Sequence, residues 1–590
     1  MSQEKSVSFL KLFGRLFRIL WINDKRYTIV SVLLCAAGGF ATAANTPVKQ
    51  YFFEAVENLS SNNHINLVIS LGIFWGIFTL ITLLIQGMSD LVMEDLGVRL
   101  GGFLGRDVNR KAANLAPVCY EDNKILDSMN QAYKGVEQSK EIIQIFMMLA
   151  AFYIPYFMFF SVYLYRIHPV LSVGIVLVLL PTLGGQYIRT RYYTGLENRV
   201  APVRRKMEYY QACIADRENG KETRLLGAVF FFRELYKVSA LMFQKESWKT
   251  ERKSSLVELG LRLLSLLVYV MILGLMYQYL IRGNLGIAAF AAILTSIDQM
   301  FNYMDYVGYY IGDISTYISA VTNTMAFMEL PERKGTSVEL SHYDIEFHHV
   351  FFFYPGSKKP VLQDVTLSIS EGETIAVVGE NGAGKSTLAK LLLGLYLPEE
   401  GEVLLGGWNT KEISPDSVFQ KASGVFQNFQ RYKMTLRENI SISETDCGQE
   451  ELKLNQIVKE VNLEEKSEGL PKGIESMLAR EFGGSDISGG QWQRVAIGRG
   501  LYREHEMIVL DEPTAAIDPL EESRIYLQFA SLSKGKTSVI ITHRIGSARL
   551  ADKIIVMDHG TIAGVGSHEE LLENNMVYRT MFEAQAQWYQ

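Results

Sequence analysis

Six apolar stretches in the first half of the chain constrain it more than any other feature. They cover residues 27–46, 65–86, 142–165, 169–188, 257–281 and 285–306. Each is close to the roughly 20 residues that a helix needs to cross a hydrocarbon layer of about 30 Å. Buried core helices of a soluble protein can be this apolar singly, but six in succession point to a membrane region. The segment before them, residues 1–26, is polar and basic and has no small-residue cleavage site after a short apolar core. The first apolar helix is therefore expected to be retained.

Basic residues give the expected orientation. Lys11, Arg15, Arg18, Lys25 and Arg26 precede the first stretch, and Arg99, Arg106, Arg110 and Lys111 follow the second. A dense set from Arg189 to Lys253 follows the fourth, whereas the other connections hold mainly Lys49, Arg166 and Arg282. Both termini and two long connections should thus lie in the cytoplasm, as in a multi-pass protein of the cytoplasmic membrane. Each long connection has few helix breakers, so it should continue the spanning helices outward until a turn interrupts it, near residues 117–127 and 220–226.

At 590 residues the chain exceeds one hydrophobic core. Pro, Gly and Ser at 331–340 mark a linker between a membrane domain, 1–330, and a final domain, 341–590. In the latter, short β-branched runs alternate with helical spacing, the pattern of an α/β domain with a small antiparallel region at its start. A net charge of −6 without a basic, aromatic-interleaved patch argues against nucleic acid as a partner. Cys35, Cys119, Cys213 and Cys447 lack metal-ligand spacing and form no disulfide framework.

The apolar run 374–378 leads into Gly379-Glu380-Asn381-Gly382-Ala383-Gly384-Lys385-Ser386, followed by Thr387. This is G-x-x-x-x-G-K-[ST] between a strand and a helix. Its glycines let backbone N–H groups turn toward phosphate oxygens, and the helix N-terminus adds its positive end. Lys385 is expected on the β- and γ-phosphates of ATP, and the Ser386 hydroxyl on Mg²⁺. A second strand ends in Asp511 and Glu512. Asp511 is the expected Mg²⁺ ligand and Glu512 the group that orients and deprotonates water.

Between these motifs stands Ile487-Ser488-Gly489-Gly490-Gln491, then Gln493-Arg494. It resembles the LSGGQ signature of ABC-type ATPases, with Ile487 in place of Leu. The resemblance implies that this segment caps the γ-phosphate of ATP held by a second subunit, so that two nucleotides are sandwiched in a dimer. It also implies that Tyr354 stacks on adenine and that Gln427 touches Mg²⁺ or the attacking water. His543 would contact the γ-phosphate, and Ala515-Ala516-Ile517-Asp518 would form the D-loop, with Ala where Ser is usual. With Glu512 and His543 both present, a homodimer would have two competent sites.

Six spans, two long cytoplasmic connections and a C-terminal ATPase resemble the exporter class of this superfamily over almost the whole chain. The implied fold is an exporter-type α-helical transmembrane domain of six spans plus an α/β P-loop NTPase domain of ABC type. Its turns near 117–127 and 220–226 would be coupling helices. The run from Gly483 to Trp492 is most similar to bacterial lanthipeptide (nisin-type) exporters, which implies a peptide cargo. There is no room for an N-terminal cysteine-protease domain, so leader removal is not expected. A lipid or multidrug exporter, an importer of exporter fold and an ATP-gated channel are the alternatives. Along the sixth stretch and its continuation to 313, Asp298, Asp305 and Asp313 share one broad helical face with several tyrosines. They either line a cavity for a cationic substrate or sit where the helix leaves the bilayer.

Overall fold

Leu12, Leu16 and Leu20 recur every fourth residue, and in the computed structural model they form the fully buried side of a helix, Phe9–Asn23. Lys11, Arg15 and Arg18 lie on its exposed side. The structure describes residues 9–59, 65–216, 219–445, 451–463, 469–513 and 535–586. The chain divides into two compact units, one of residues 1–112 and 128–330, the other of residues 113–127 and 331–590.

The first unit is helical. Its long helices are Lys25–Glu57, Ile65–Ala113, Asn123–Met147 running through Met148–Tyr153 into Ile154–Ile167, Pro169–Ala215, Val229–Ile281 and Ile287–Met328. The first five each contain one of the predicted stretches, and Ile287–Met328 contains all of the sixth but its first two residues. At 53 residues, Val229–Ile281 is about 80 Å long at 1.5 Å per residue, well over the thickness of a bilayer. Four of the helices carry a stretch apolar enough to cross a membrane by length and composition among the described residues. Leu80, Leu84 and Leu267 point outward and are more than half exposed, a pattern that suits lipid and not water.

Polar side chains inside this unit find each other. Gln86 donates to the Thr42 hydroxyl at 2.7 Å, Gln299 to the Tyr303 hydroxyl at 3.1 Å, and the Trp75 indole to Asn45 at 2.9 Å. Residues Met148–Tyr153 form a π-helical turn just before Pro155. The wider turn accommodates a proline ring that would otherwise meet the carbonyl four residues back.

Small residues set the closest helix approach. A Cβ on Gly135 would collide with the Thr324 hydroxyl and the Ala320 carbonyl. Thr324 is fully buried there and donates to the Ala132 carbonyl at 3.0 Å. Gly135→Ala should therefore destabilise this unit by about 1–3 kcal/mol through forced separation of packed helices. A lowered melting temperature of the purified chain in detergent is the expected reading; an unchanged one would show that the contact is slack.

The second unit holds two sheets. The smaller, antiparallel along β1 (Ile345–Phe352), β2 (Leu362–Ile369), β4 (Glu400–Leu405) and β5 (Trp408–Asn409), has the order β2-β1-β4-β5. The larger contains β3 (Thr374–Gly379), β6 (Ala422–Val425), β7 (Met507–Asp511), β8 (Thr537–Ile541), β9 (Lys553–Asp558) and β10 (Thr561–Gly566). Its order is β10-β9-β3-β8-β7-β6, parallel except for β10. Strands β7 and β8 are buried at every residue, as strands covered on both faces must be. Because β3, β8, β7 and β6 run in one direction side by side, the segments that follow them emerge at one edge of the sheet.

Candidate nucleotide site

That edge collects residues far apart in sequence. The loop after β3 leads into the helix Lys385–Leu392, whose N-cap, Gly384, has φ 96°. A side chain is strained in that conformation, and a Cβ there would press on Leu362. Gly382, at φ 85°, makes the other left-handed turn of the loop. Ala383 and Thr387 are buried, while Glu380 and Asn381 face outward.

Lys385 folds back over its own loop and donates to the carbonyls of Gly379 at 2.9 Å and Glu380 at 3.0 Å. Burial pulls its pKa below the ordinary lysine value, against the opposing carboxylates of Glu512 and Asp511. Ser386 donates to Asp511 at 3.1 Å. Burial raises the Asp511 pKa, and the Ser386 hydroxyl opposes that shift. A hydroxyl and a carboxylate so close are the hard oxygen donors that a small divalent cation takes.

Glu512, next after β7, has φ 49°, unusual for a residue with a side chain. Its N–H is held by the Ile541 carbonyl at 3.1 Å. Its carboxylate is nearly buried, and one oxygen, Oε2, receives both Gln427 at 3.0 Å and the Nε2 of His543. Gln427 follows β6 and His543 follows β8. The three residues expected to act on water and the γ-phosphate thus meet on a single atom.

Tyr354 lies just past β1, its hydroxyl 3.2 Å from that of Thr387. Ser488 caps the helix Gly489–Tyr502: its hydroxyl accepts from the Gln491 N–H at 3.2 Å, and the Gln491 side chain accepts from the Ser488 N–H at 2.9 Å. Ser488 and Gly489 are exposed and Gly490 is half-buried. Ile487 is turned into the core with Trp492 and Val495, away from the exposed Ser488 and Gly489, which explains why the position takes an apolar residue. Ala515 to Asp518 lie outside the described residues.

Sequence reasoning missed a group around Tyr354. Tyr396 meets it at 89° with ring centroids 6.0 Å apart, and the Lys390 ammonium lies 5.9 Å from its ring centre. No local spacing signals these contacts, which the tertiary fold creates. In the helical unit a cavity of about 330 Å³ is lined by Asp298, Asp305, Glu258, Arg262, Tyr269 and Phe301, among others, but not by Asp313. Arg262 is 2.9 Å from Glu258.

Residues 362–515 match the family model described as "ABC transporter". The chain is 27% identical over 586 residues to the subtilin transport ATP-binding protein SpaT of Bacillus subtilis, covering 98% of this chain and 93% of that one. It is 27% identical to the nisin transport ATP-binding protein NisT of Lactococcus lactis subsp. lactis, covering 96% and 94%. A bacterial Atm1-family ABC exporter solved with ATP bound shares the fold at a TM-score of 0.81 and 19% identity, over 95% of this chain and 98% of the other.

Proposed function

We propose, from the premise that this chain is an ABC transporter ATP-binding domain fused to an exporter-type transmembrane region, that it exports a peptide at the expense of ATP. The observation that carries the ATPase half is the meeting of Gln427, His543 and Glu512 on one carboxylate oxygen beside the phosphate loop. The near full-length similarity to SpaT and NisT supports a peptide as cargo.

In this reading adenine stacks on Tyr354. The N–H groups of 379–384 and the start of the helix at Lys385 receive the phosphates. Lys385 leaves its loop carbonyls for the β- and γ-phosphate oxygens. Ser386 and Asp511, with Gln427, would hold Mg²⁺, whose charge would offset that of the phosphates. Glu512 takes a proton from the attacking water, while His543 and Gln427 fix the carboxylate's direction. Ile487-Ser488-Gly489-Gly490-Gln491 of a second copy completes the site across a homodimer, its Ser488 and glycine N–H groups facing the γ-phosphate. ATP binding closes the dimer and turns the membrane domain outward; hydrolysis resets it.

The distribution of Lys and Arg supports placing both termini and the domain 341–590 in the cytoplasm. The cavity supports a cationic peptide. Asp298 and Asp305 on its wall make no ion pair among the described residues, and Tyr269 and Phe301 add aromatic faces. ATP-dependent accumulation of a fluorescent cationic peptide in inside-out vesicles is the expected result. Uptake only into right-side-out vesicles would mean import, and equilibration without accumulation would mean a channel. Asp298→Asn should reduce peptide stimulation of ATP hydrolysis by about tenfold, the worth of one charge contact at a partly desolvated site. Undiminished stimulation would remove the cavity from the substrate path.

A further inference from the structure

The turn between the second and third long helices, Pro117–Glu121, belongs to the nucleotide-binding unit. Its last residue, Glu121, accepts a hydrogen bond from the Tyr396 hydroxyl and lies 3.3 Å from the Lys390 ammonium. Lys390 in turn donates to the Tyr396 hydroxyl at 3.1 Å and sits 4.8 Å from that ring's centre. It is carried on the helix Lys385–Leu392, whose first residues are the end of the phosphate loop. Tyr396 stacks on Phe352 at 5.4 Å and meets Tyr354 at right angles, as does Phe352. Three groups thus share one polar knot, and two of them touch the ring of Tyr354.

The knot is electrostatically tight. Tyr396 and Lys390 hold the Glu121 carboxyl below the usual carboxylate range. Burial, then the Glu121 carboxylate, pushes the Tyr396 hydroxyl up to about 12. Burial alone would lower Lys390, but Tyr396, Tyr354 and Glu121 outweigh it and raise its pKa. Removing Glu121 leaves a half-buried ammonium without its carboxylate. Lys390 and the Tyr396 ring then lose the contact that fixes them against Tyr354.

We propose that Glu121 is a positioning residue for the adenine pocket: through Lys390 and Tyr396 it holds the Tyr354 ring in place for stacking, so that ATP affinity depends on the seating of the first cytoplasmic turn. The inference rests on the reading of Tyr354 as the adenine contact. It gives the turn a line to the nucleobase separate from Gln427, which serves the phosphate end. By linkage, whatever unseats the turn weakens ATP binding, and bound ATP holds the turn in place by the same free energy.

The test is ATPase activity of the full-length chain in detergent or nanodiscs over a range of ATP concentrations. Four proteins are compared: wild type, Glu121→Ala, Glu121→Asp and Tyr354→Ala. Glu121→Ala should raise KM for ATP about three- to tenfold with kcat changed by less than about twofold, and Glu121→Asp should recover part of the loss. Tyr354→Ala should raise KM at least as much. If Tyr354→Ala raises KM and Glu121→Ala does not, the positioning role is refuted and the adenine reading stands. If neither changes KM, the adenine reading itself fails. A fall in kcat and melting temperature at constant KM would make Glu121 a structural anchor only. Should Glu121→Ala not fold, Glu121→Gln carries the same KM test, since it keeps the shape and an acceptor for Tyr396 but removes the charge facing Lys390.

Discussion

Glu512→Gln should bind ATP as the wild type does and hydrolyse it at least about 100-fold more slowly, the lower end of what a positioned general base contributes. The amide matches the carboxylate in shape and can still accept from Gln427 and His543, so the geometry around Oε2 has no reason to collapse. It cannot take the proton of the attacking water. Glutamine also tolerates the left-handed φ of 49° as well as glutamate does, so no folding penalty obscures the result. Equilibrium ATP binding and steady-state phosphate release, measured on one preparation, separate the two effects. Turnover within a few-fold of wild type would remove Glu512 from the role of base.

Lys385→Ala should do the reverse and damage binding. The ammonium is almost fully buried, and its present partners are two backbone carbonyls of its own loop. Burial already disfavours its charge, and phosphate oxygens compensate a buried cation far better than neutral carbonyls do. Loss of the charge-assisted contacts should cost about 3 kcal/mol, or roughly 100-fold in ATP affinity. Hydrolysis at subsaturating ATP falls with it. If Lys385→Ala binds ATP as tightly as wild type, the phosphate loop does not use its lysine in the proposed way. Together the two variants separate binding from chemistry, because Glu512→Gln should leave intact the ATP affinity that Lys385→Ala damages.

Much of this was legible in the sequence, for reasons that differ by element. The spanning helices announce themselves because a bilayer demands a long uninterrupted apolar run, whatever the fold around it. The phosphate loop announces itself because its glycines are needed where they stand: Gly382 and Gly384 have left-handed φ, and a Cβ on Gly384 would strike Leu362. The capping pair Ser488 and Gln491 is likewise local, three residues apart. Resemblance to a known family supplied Gln427, His543 and Tyr354, which as single residues carry no local signal.

The tertiary structure decided the rest. Gln427, Glu512 and His543 stand on three segments, and only the parallel order β8-β7-β6 brings their carboxyl ends together until three side chains share one oxygen. The order of strands is set by long-range burial and not by any local period. The same holds for Asp298 and Asp305, whose spacing left open whether they lined a cavity, and for Glu121, far in sequence from the Tyr396 and Lys390 that it binds. The sequence by itself marked which segments are long and apolar enough to be helices of the membrane region and which backbone can cradle a phosphate, because both requirements act on consecutive residues. Which side chains face one another across the site was decided by packing, which acts between residues that the chain keeps far apart.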